Sequence, residues 1–317
     1  MLRTVILVCT ALLTVPAIAQ RPGRGYPPDL PDATQEIYKS VADVELPVYI
    51  FRPKESDTDA VARPSPRPAI VFFFGGGWRG GSPEQFSTHA RYLAERGMVA
   101  VCADYRVSSR HDVTPIECVE DAKAAMRYVR ENAERLGIDP NRIAAAGGSA
   151  GGHLAACTGV VGGFEPSDAA TSSRADALVL FNPVVQLAPF GDARTLGAEI
   201  IERIDAKTGG RGKEISPLHS VGENEPPTLI LHGVDDPTVP YATVRLFGEE
   251  MRKQGNRCEV VGFKGQKHGF FNNRKGRPEM YQATTRLMDE FLTSLGWLSG
   301  EPTLPMPVAE EELIREK

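Results

Sequence analysis

The chain has 317 residues, of which 41% are hydrophobic and 24% are charged, and its formal net charge is −5. This balance is typical of a soluble globular protein with a sizeable core, which argues against a disordered or fibrous chain. A mildly acidic chain is a poor ligand for polyanions, so no nucleic-acid partner is expected.

The first element in chain order has the composition of an export signal. Residues 1–19 combine a positive start at Arg3 with an apolar run and a small-x-small sequence at residues 17–19. This pattern predicts a secretory signal peptide over 1–19 and therefore a secreted or periplasmic protein. The apolar run is shorter than a bilayer span requires, so no stable membrane span is expected in the mature chain.

The rest of the chain divides into a linker, one domain and a tail. Residues 20–36 are rich in Pro, Gly and Arg and lack a hydrophobic period, which predicts an extended linker. Residues 37–298 carry the periodic pattern of a single domain, and residues 299–317 are predicted to be an appended, partly disordered tail. Residues 188–226 lack strong periodicity, so both a small cap and a long surface connection stay open.

Within the domain, strand patterns alternate with helix patterns. Residues 38–53 alternate as paired strands do. Further strands are predicted at 69–74, 98–103, 143–146, 177–181, 228–231 and 259–263, and helices at 83–96, 114–136, from 153 onward and at 278–295. The alternation predicts an α/β fold with a mostly parallel central sheet, helices on both faces and at most a small cap. Ligands of such sheets bind at the carboxyl ends of the strands.

Ser149 lies in a Gly-x-Ser-x-Gly sequence between a predicted strand and a predicted helix. A nucleophile held on such a sharp turn has strained backbone angles, so Gly147 and Gly151 must be small enough for the strand and the helix to approach. Ser149 is therefore the predicted nucleophile. The alternative is a glycine-rich loop without a catalytic role.

A serine hydroxyl needs a base to take its proton and an acid to orient that base. His268 follows the strand at 259–263 and is the predicted base, and Asp236 is the predicted acid because it follows the strand at 228–231 and precedes Pro237. Asp235 stays open as the alternative acid, since the sequence does not show which carboxylate faces inward.

A glycine loop follows the strand at 69–74 and could supply N–H donors to an oxyanion. Gly76, Gly77 and Ala150 are the predicted oxyanion-hole residues. The loop also satisfies the dinucleotide pattern Gly-x-Gly-x-x-Gly, with Asp104 as a possible ribose ligand, but the bulky Trp78 inside the turn argues against that alternative.

Several other polar residues receive structural interpretations. Trp78 is a candidate for the substrate pocket, with a core role equally open, and His153 is interpreted as a packing residue. Asp104, Tyr105, Arg106 and Asp121 are expected to brace the site. Three further histidines and the four cysteines of the mature chain lack metal-ligand spacing: His89, His111, His219, Cys102, Cys118, Cys157 and Cys258. Neither a metal nor a cofactor is therefore expected, and disulfide pairing stays open.

Together these motifs resemble the esterase/lipase group of α/β hydrolases that includes hormone-sensitive-lipase-like and feruloyl or acetyl-xylan esterase-like members. The resemblance extends over residues 38–295 and implies an α/β-hydrolase fold and a Ser149–His268–Asp236 triad. The group usually has a histidine before the three glycines, where this chain has Phe74. Because phenylalanine cannot donate a hydrogen bond, packing is expected to hold the loop.

The resulting expectation is an exported serine esterase that acts on short-chain acyl esters, with acetyl groups on carbohydrates as one candidate substrate. The substrate class follows from the resemblance rather than from the residues. A peptidase of the same fold and a non-catalytic binding protein are the alternatives. The oligomeric state is not predicted.

Overall fold

The computed structural model describes residues 26–54, 65–193 and 195–316. The predicted signal peptide, 1–19, lies outside the described residues. Strands in these ranges are β1 (Thr34–Val41), β2 (Val44–Phe51), β3 (Arg67–Phe73), β4 (Val99–Ala103), β5 (Ile138–Gly148), β6 (Ala177–Phe181), β7 (Thr228–Gly233), β8 (Cys258–Phe263) and β9 (Leu313–Glu316).

The helices of the same ranges are α1 (Ser87–Glu95), α2 (Ser108–His111), α3 (Pro115–Glu131), α4 (Ala133–Leu136), α5 (Ala150–Val160), α6 (Ala198–Thr208), α7 (Pro217–Ser220), α8 (Tyr241–Lys253) and α9 (Glu279–Ser294). The predicted strands and helices of the domain are therefore confirmed, with small shifts at their ends. The predicted helix 114–136 is interrupted at Asn132, and α4 ends at Gly137, which has the left-handed conformation that glycine tolerates.

The strands form one sheet in the order β1-β2-β4-β3-β5-β6-β7-β8-β9. Strands β4, β3, β5, β6, β7 and β8 are parallel neighbours, whereas β1, β2 and β9 join at the edges by antiparallel pairing. The chain places β4 on one side of β3 and β5 on the other. The loops that follow β3 and β5 therefore leave the sheet at a topological switch point, where α/β sheets bind their ligands.

Both faces of the sheet are buried, which explains the continuous apolar runs of its central strands. Val71 and Phe73 of β3 face one hydrophobic cluster, to which α3, α5 and α8 contribute. Ile70 and Phe72 face the other, together with residues of α1 and α9. The result is a three-layer arrangement of helices, sheet and helices, as predicted.

Two predicted boundaries are corrected by the structure. Strand β1 begins at Thr34, inside the predicted linker 20–36, and pairs with β2. The predicted tail 299–317 is not appended: Val308 and Leu313 are buried, and β9 extends the sheet beside β8. A strand of four residues is too short to show a period of its own, and its pairing partner is about fifty residues away along the chain.

The segment 188–226 contains a cap rather than a bare surface connection. Helix α6 follows Gly197 and ends at Gly209, which has a left-handed conformation. Ile200 and Ile204 of this helix line the cavity that also contains Ser149. The cap is small, in agreement with the prediction of at most a small cap.

Candidate active site

Ser149 occupies the turn between β5 and α5 with φ of 56° and ψ of −118°. This is a strained conformation for a residue with a side chain, and such strain concentrates at functional sites. A Cβ atom on Gly147 would lie 2.3 Å from the carbonyl oxygen of Gly151, and one on Gly151 would lie 2.1 Å from that of Phe73. Both glycines are therefore required by close approach, as the sequence analysis predicted.

His268 lies in the loop after β8 and contacts Ser149 directly. Its Nε2 atom is 2.9 Å from Ser149 Oγ. Its Nδ1 atom is 2.6 Å from Asp236 Oδ2. Because Asp236 is a carboxylate, Nδ1 carries the proton that is donated to it, and Nε2 is left as the acceptor of the serine hydroxyl.

Asp236 is buried at the end of β7, whereas its neighbour Asp235 is exposed. Burial by itself would raise the pKa of Asp236, but hydrogen bonds from His268 and from the backbone N–H groups of Val239 and Thr238 lower the pKa below its ordinary value. The two N–H groups donate to Oδ1 at 3.0 and 2.8 Å. The geometry thus places Asp236, and not Asp235, beside His268, a choice that the sequence left open.

Asn182 is a site residue that the sequence analysis missed. It is fully buried, and its Nδ2 atom donates to Asp236 Oδ2 at 3.0 Å. Its Oδ1 atom accepts a hydrogen bond from the N–H of Gly269 at 3.3 Å. Asn182 therefore ties the acid to the loop that carries His268. Its position directly after β6 was the available signal, although no motif marks it.

The glycine loop after β3 is held by hydrogen bonds as well as by packing. Phe74 stacks on Tyr105 with ring centroids 4.1 Å apart, and the Tyr105 hydroxyl donates to the Phe74 carbonyl at 2.7 Å. Gln85 Oε1 accepts a hydrogen bond from Gly75 N–H at 2.6 Å. Other residues thus supply the hydrogen bonds that Phe74 cannot supply.

The three predicted oxyanion-hole residues occupy different surroundings. Gly77 and Ala150 line the same cavity as Ser149. Ala150 is the first residue of α5, so its N–H group has no acceptor within the helix. Gly76 is exposed, and its carbonyl oxygen accepts hydrogen bonds from Arg79 and Gly80. Their role as oxyanion donors stays a prediction.

The cavity beside Ser149 has a volume of about 140 Å³. Apolar side chains dominate its lining, and two cationic side chains of α6 belong to it. The lining comprises Gly77, Trp78, Ser149, Ala150, Val184, Val185, Gln186, Leu196, Ile200, Arg203, Ile204, Lys207, Thr238, Val239, Pro240 and Thr243.

Trp78 combines the two roles that the sequence left open, because it is buried and also lines the cavity. Its Nε1–H donates to His153 Nδ1 at 3.2 Å, so the Nε2–H of His153 is free to donate to the Ile215 carbonyl at 2.7 Å. Burial lowers the pKa of His153 to about 4, against the opposing effect of the Ile215 carbonyl. His153 is thus neutral and packs edge-on against Trp78, in agreement with the predicted packing role.

The predicted bracing network is present behind the loop. Arg106 donates to both carboxylate oxygens of Asp121 at 2.8 Å, and Lys39 reaches the same group at 2.6 Å. Asp104 is fully buried and accepts hydrogen bonds from Tyr26 and from the N–H of Tyr105. Because its carboxylate is enclosed, Asp104 is not placed to bind a ribose, which removes the support for the dinucleotide alternative.

Residues 26–54, 65–193 and 195–316 contain no cluster of three or more His, Cys, Asp or Glu side chains suited to a metal ion. The four cysteines in these ranges are buried and free. No helix there reaches the length and apolar character that crossing a bilayer would require.

The chain is similar to one family model and to several curated proteins. The BD-FAE family model matches residues 59–251, more than half of the chain. Esterase LipC of Mycobacterium tuberculosis is 32% identical over 221 residues, which cover 65% of this chain and 53% of LipC. A probable isoprenylcysteine alpha-carbonyl methylesterase of Arabidopsis thaliana is 28% identical, over 64% and 45% of the two chains. The chain spans about half the length of the curated relatives it matches.

Among solved structures, the chain is similar to Thermogutta terrifontis esterase 2. The apo form is 48% identical with a TM-score of 0.80, and the match covers 87% of this chain and 100% of that one. The same esterase phosphonylated by sarin gives a TM-score of 0.81 at 48% identity, with the same coverage. A butyrate-bound form gives 0.80 at 48%, over 87% and 99% of the chains.

Proposed function

The chain belongs to the BD-FAE family of α/β-hydrolase esterases, and from that premise we propose that it hydrolyses carboxylic esters through an acyl-enzyme on Ser149. The observation that carries the proposal is the continuous hydrogen-bonded connection from Ser149 through His268 to Asp236. This arrangement of hydroxyl, imidazole and carboxylate is the one that activates a serine nucleophile.

The reaction begins with attack of Ser149 Oγ on the ester carbonyl carbon while its proton passes to His268 Nε2. The negative charge that develops on the carbonyl oxygen is stabilised by the N–H groups of Gly76, Gly77 and Ala150. His268 then protonates the departing alcohol, and the acyl group stays on Ser149. Water, deprotonated by the same imidazole, releases the acid and restores the serine.

Asp236 fixes the tautomer of His268 and stabilises the imidazolium that forms in each step. Its lowered pKa keeps this carboxylate ionised at neutral pH. Asn182 holds the same carboxylate and the His268 loop together. These contacts restrict the imidazole to one orientation, which lowers the entropic cost of the reaction.

A short acyl group fits the cavity best. Its volume of about 140 Å³ is small for a ligand pocket, and Trp78, Ile204 and Val239 give it apolar walls. The similar Thermogutta terrifontis esterase 2 has been solved with propionate and with butyrate bound. An acetyl group, as carried by acetylated carbohydrates, is within this size.

The function is tested by rates of hydrolysis of p-nitrophenyl acetate, butyrate and octanoate. Ser149→Ala is expected to lose on the order of a millionfold in kcat, because the nucleophile is absent. Ser172→Ala is the control, since this serine is exposed and its hydroxyl accepts a hydrogen bond from the backbone N–H of Arg174, outside the cavity lining. Equal activity of Ser149→Ala and the wild type would refute the proposal, and no activity in either would favour a non-catalytic binding protein.

We further propose that the enzyme is exported, on the basis of the signal-peptide pattern at residues 1–19. When the full chain is expressed in a bacterial host, the protein recovered outside the cytoplasm is expected to begin at Gln20. Mass spectrometry of the intact protein measures this directly. Recovery of the uncleaved chain from the cytoplasm alone would contradict the proposal.

A further inference from the structure

The cap helix α6 presents two cations to the active-site cavity. Ile200, Arg203, Ile204 and Lys207 line it at the three- and four-residue steps that place side chains on one face of a helix. The acidic residues of α6 are exposed and do not line the cavity: Glu199, Glu202 and Asp205. The positively charged side chains of this helix therefore lie toward the site, and the negatively charged ones lie away from it.

No carboxylate of the described residues lines this cavity. Lys207 Nζ donates to the Gly77 carbonyl at 3.2 Å and lies 5.4 Å from the centre of the Trp78 ring. Desolvation and the positive charges of Arg203 and Arg79 lower the pKa of Lys207. The surroundings of Lys207 are thus electrostatically unfavourable for a cation, and a bound anion would relieve the repulsion.

The position of His268 indicates which half of an ester enters the cavity. The leaving oxygen must lie within hydrogen-bond reach of His268 Nε2 to be protonated. His268 does not line the cavity, whereas Ser149, Gly77 and Ala150 do. The acyl chain therefore points into the cavity toward α6, and the alcohol leaves on the side of His268.

We infer that the enzyme selects esters whose acyl chain ends in a negative charge, and specifically the half-esters of short dicarboxylic acids. The inference rests on the proposed esterase function. The guanidinium of Arg203 can bind a carboxylate with two parallel hydrogen bonds, and the ammonium of Lys207 adds a second charge close to the oxyanion loop. Hydrolysis consumes one water, breaks the acyl carbon–oxygen bond, and yields the free dicarboxylate, the alcohol and one proton.

The test compares monoethyl succinate with ethyl 4-oxopentanoate, in which a methyl ketone of similar size replaces the carboxylate. Ethanol release gives kcat/KM for both esters. The wild type is expected to favour the charged ester by about tenfold, a ratio typical of one charge-assisted hydrogen bond of moderate strength. Because Arg203 and Lys207 are also in contact with solvent, the preference is expected to decline as salt is added.

Two variants assign the preference to the cations. Arg203→Gln is expected to reduce the charged-to-neutral ratio severalfold, and Arg203→Gln with Lys207→Gln to bring it close to one. Arg211→Gln is the matched control, because it removes a positive charge from the same cap segment at a residue that pairs with Glu214 and does not line the cavity. The control is expected to keep the wild-type ratio.

The possible outcomes are distinguishable. Hydrolysis of the neutral ester with no preference for the charged one overturns the inference and leaves the esterase proposal intact. Failure to hydrolyse either ester, together with inactivity on p-nitrophenyl esters, overturns both. A third ester, acetoxyacetate, carries its carboxylate on the alcohol side, and a stronger preference for it than for monoethyl succinate would refute the assignment to the acyl chain.

Discussion

At the scale of single residues, two adjacent carboxylates have opposite surroundings. Asp236 is buried and accepts hydrogen bonds from His268, Asn182 and two backbone N–H groups, whereas Asp235 faces solvent. Substituting each of the two carboxylates in turn therefore tests which one supports His268.

Asp236→Asn is expected to lower kcat by roughly ten-thousandfold, because an amide in place of the carboxylate favours the wrong tautomer of His268. Asp235→Asn, the matched control, is expected to keep the wild-type rate. Steady-state hydrolysis of p-nitrophenyl butyrate measures both. A large loss in Asp235→Asn with little loss in Asp236→Asn would reverse the assignment.

The sequence predicted the residues that lie in motifs but missed two amide side chains that support them, Asn182 and Gln85. Ser149, His268 and Asp236 each follow a recognisable strand, and their order along the chain indicated one site. Asn182 and Gln85 act through contacts with residues distant in the chain, and an isolated amide side chain has no pattern that would reveal such a contact.

At the scale of elements, α6 forms one wall of the cavity beside Ser149. Ile200 lines the cavity, whereas its neighbour Ile201 does not. The helix is also hydrogen-bonded to the glycine loop after β3, because Lys207 donates to the Gly77 carbonyl. Substitutions on the cavity face should therefore change chain-length selectivity.

Ile200→Ala is expected to raise the octanoate-to-acetate ratio of kcat/KM by about tenfold, since the lost methyl groups leave room for additional methylenes. Ile201→Ala is the control and is expected to leave the ratio unchanged. The p-nitrophenyl ester series measures it. An unchanged ratio in Ile200→Ala would place the acyl chain elsewhere.

The elements that could not be predicted from the sequence, α6 and β9, have little hydrophobic periodicity. Helix α6 is amphipathic, but its cavity face mixes isoleucine with arginine and lysine, so its period is not apolar in the ordinary sense. Strand β9 has four residues and depends on β8 for its hydrogen bonds. In both cases tertiary contacts determine the structure.

At the scale of the whole molecule, the three buried histidines make the folding stability depend on pH. Burial lowers the pKa to about 3 for His89, about 4 for His153 and about 4 for His232. Each is neutral in the folded protein, but takes up a proton in the unfolded chain below its ordinary pKa of about 6.5. Folding stability is therefore expected to fall as the pH drops from about 6.5 toward these lowered values, by about 2 kcal/mol per histidine at pH 5.

His89 is the diagnostic case, because neither of its ring nitrogens has a hydrogen-bond partner in the described part of the chain. It lies among aromatic rings, including Phe86 and Tyr281, which suit a methionine thioether. His89→Met is expected to raise the free energy of unfolding by about 1–3 kcal/mol at pH 7 and by more at pH 5. Thermal unfolding at the two pH values measures it.

His153→Met is the matched control, with the opposite sign at pH 7. Both of its ring nitrogens are bonded, so the change leaves Trp78 Nε1–H without its partner and the Ile215 carbonyl with only the weak Cys157 thiol donor at 3.5 Å. A loss of stability in His89→Met at both pH values would contradict the prediction.

The architecture as a whole was predicted better than its strand order. Apolar runs separated by helices indicated a parallel sheet with two covered faces, because each of the strands from β3 to β8 contributes to both hydrophobic clusters. The strand order that places β3 between β4 and β5, and so brings the glycine loop beside Ser149, could not be derived from the hydrophobic pattern alone. It depends on which strands pair.

Strand β9 determines when the sheet can be completed during synthesis of the chain. It follows every residue of the candidate active site in the sequence, so β8 has no partner on this side until β9 has been made. A chain interrupted before β9 would contain Ser149, Asp236 and His268 but expose unpaired backbone amides and carbonyls along β8. Such fragments would associate through that strand.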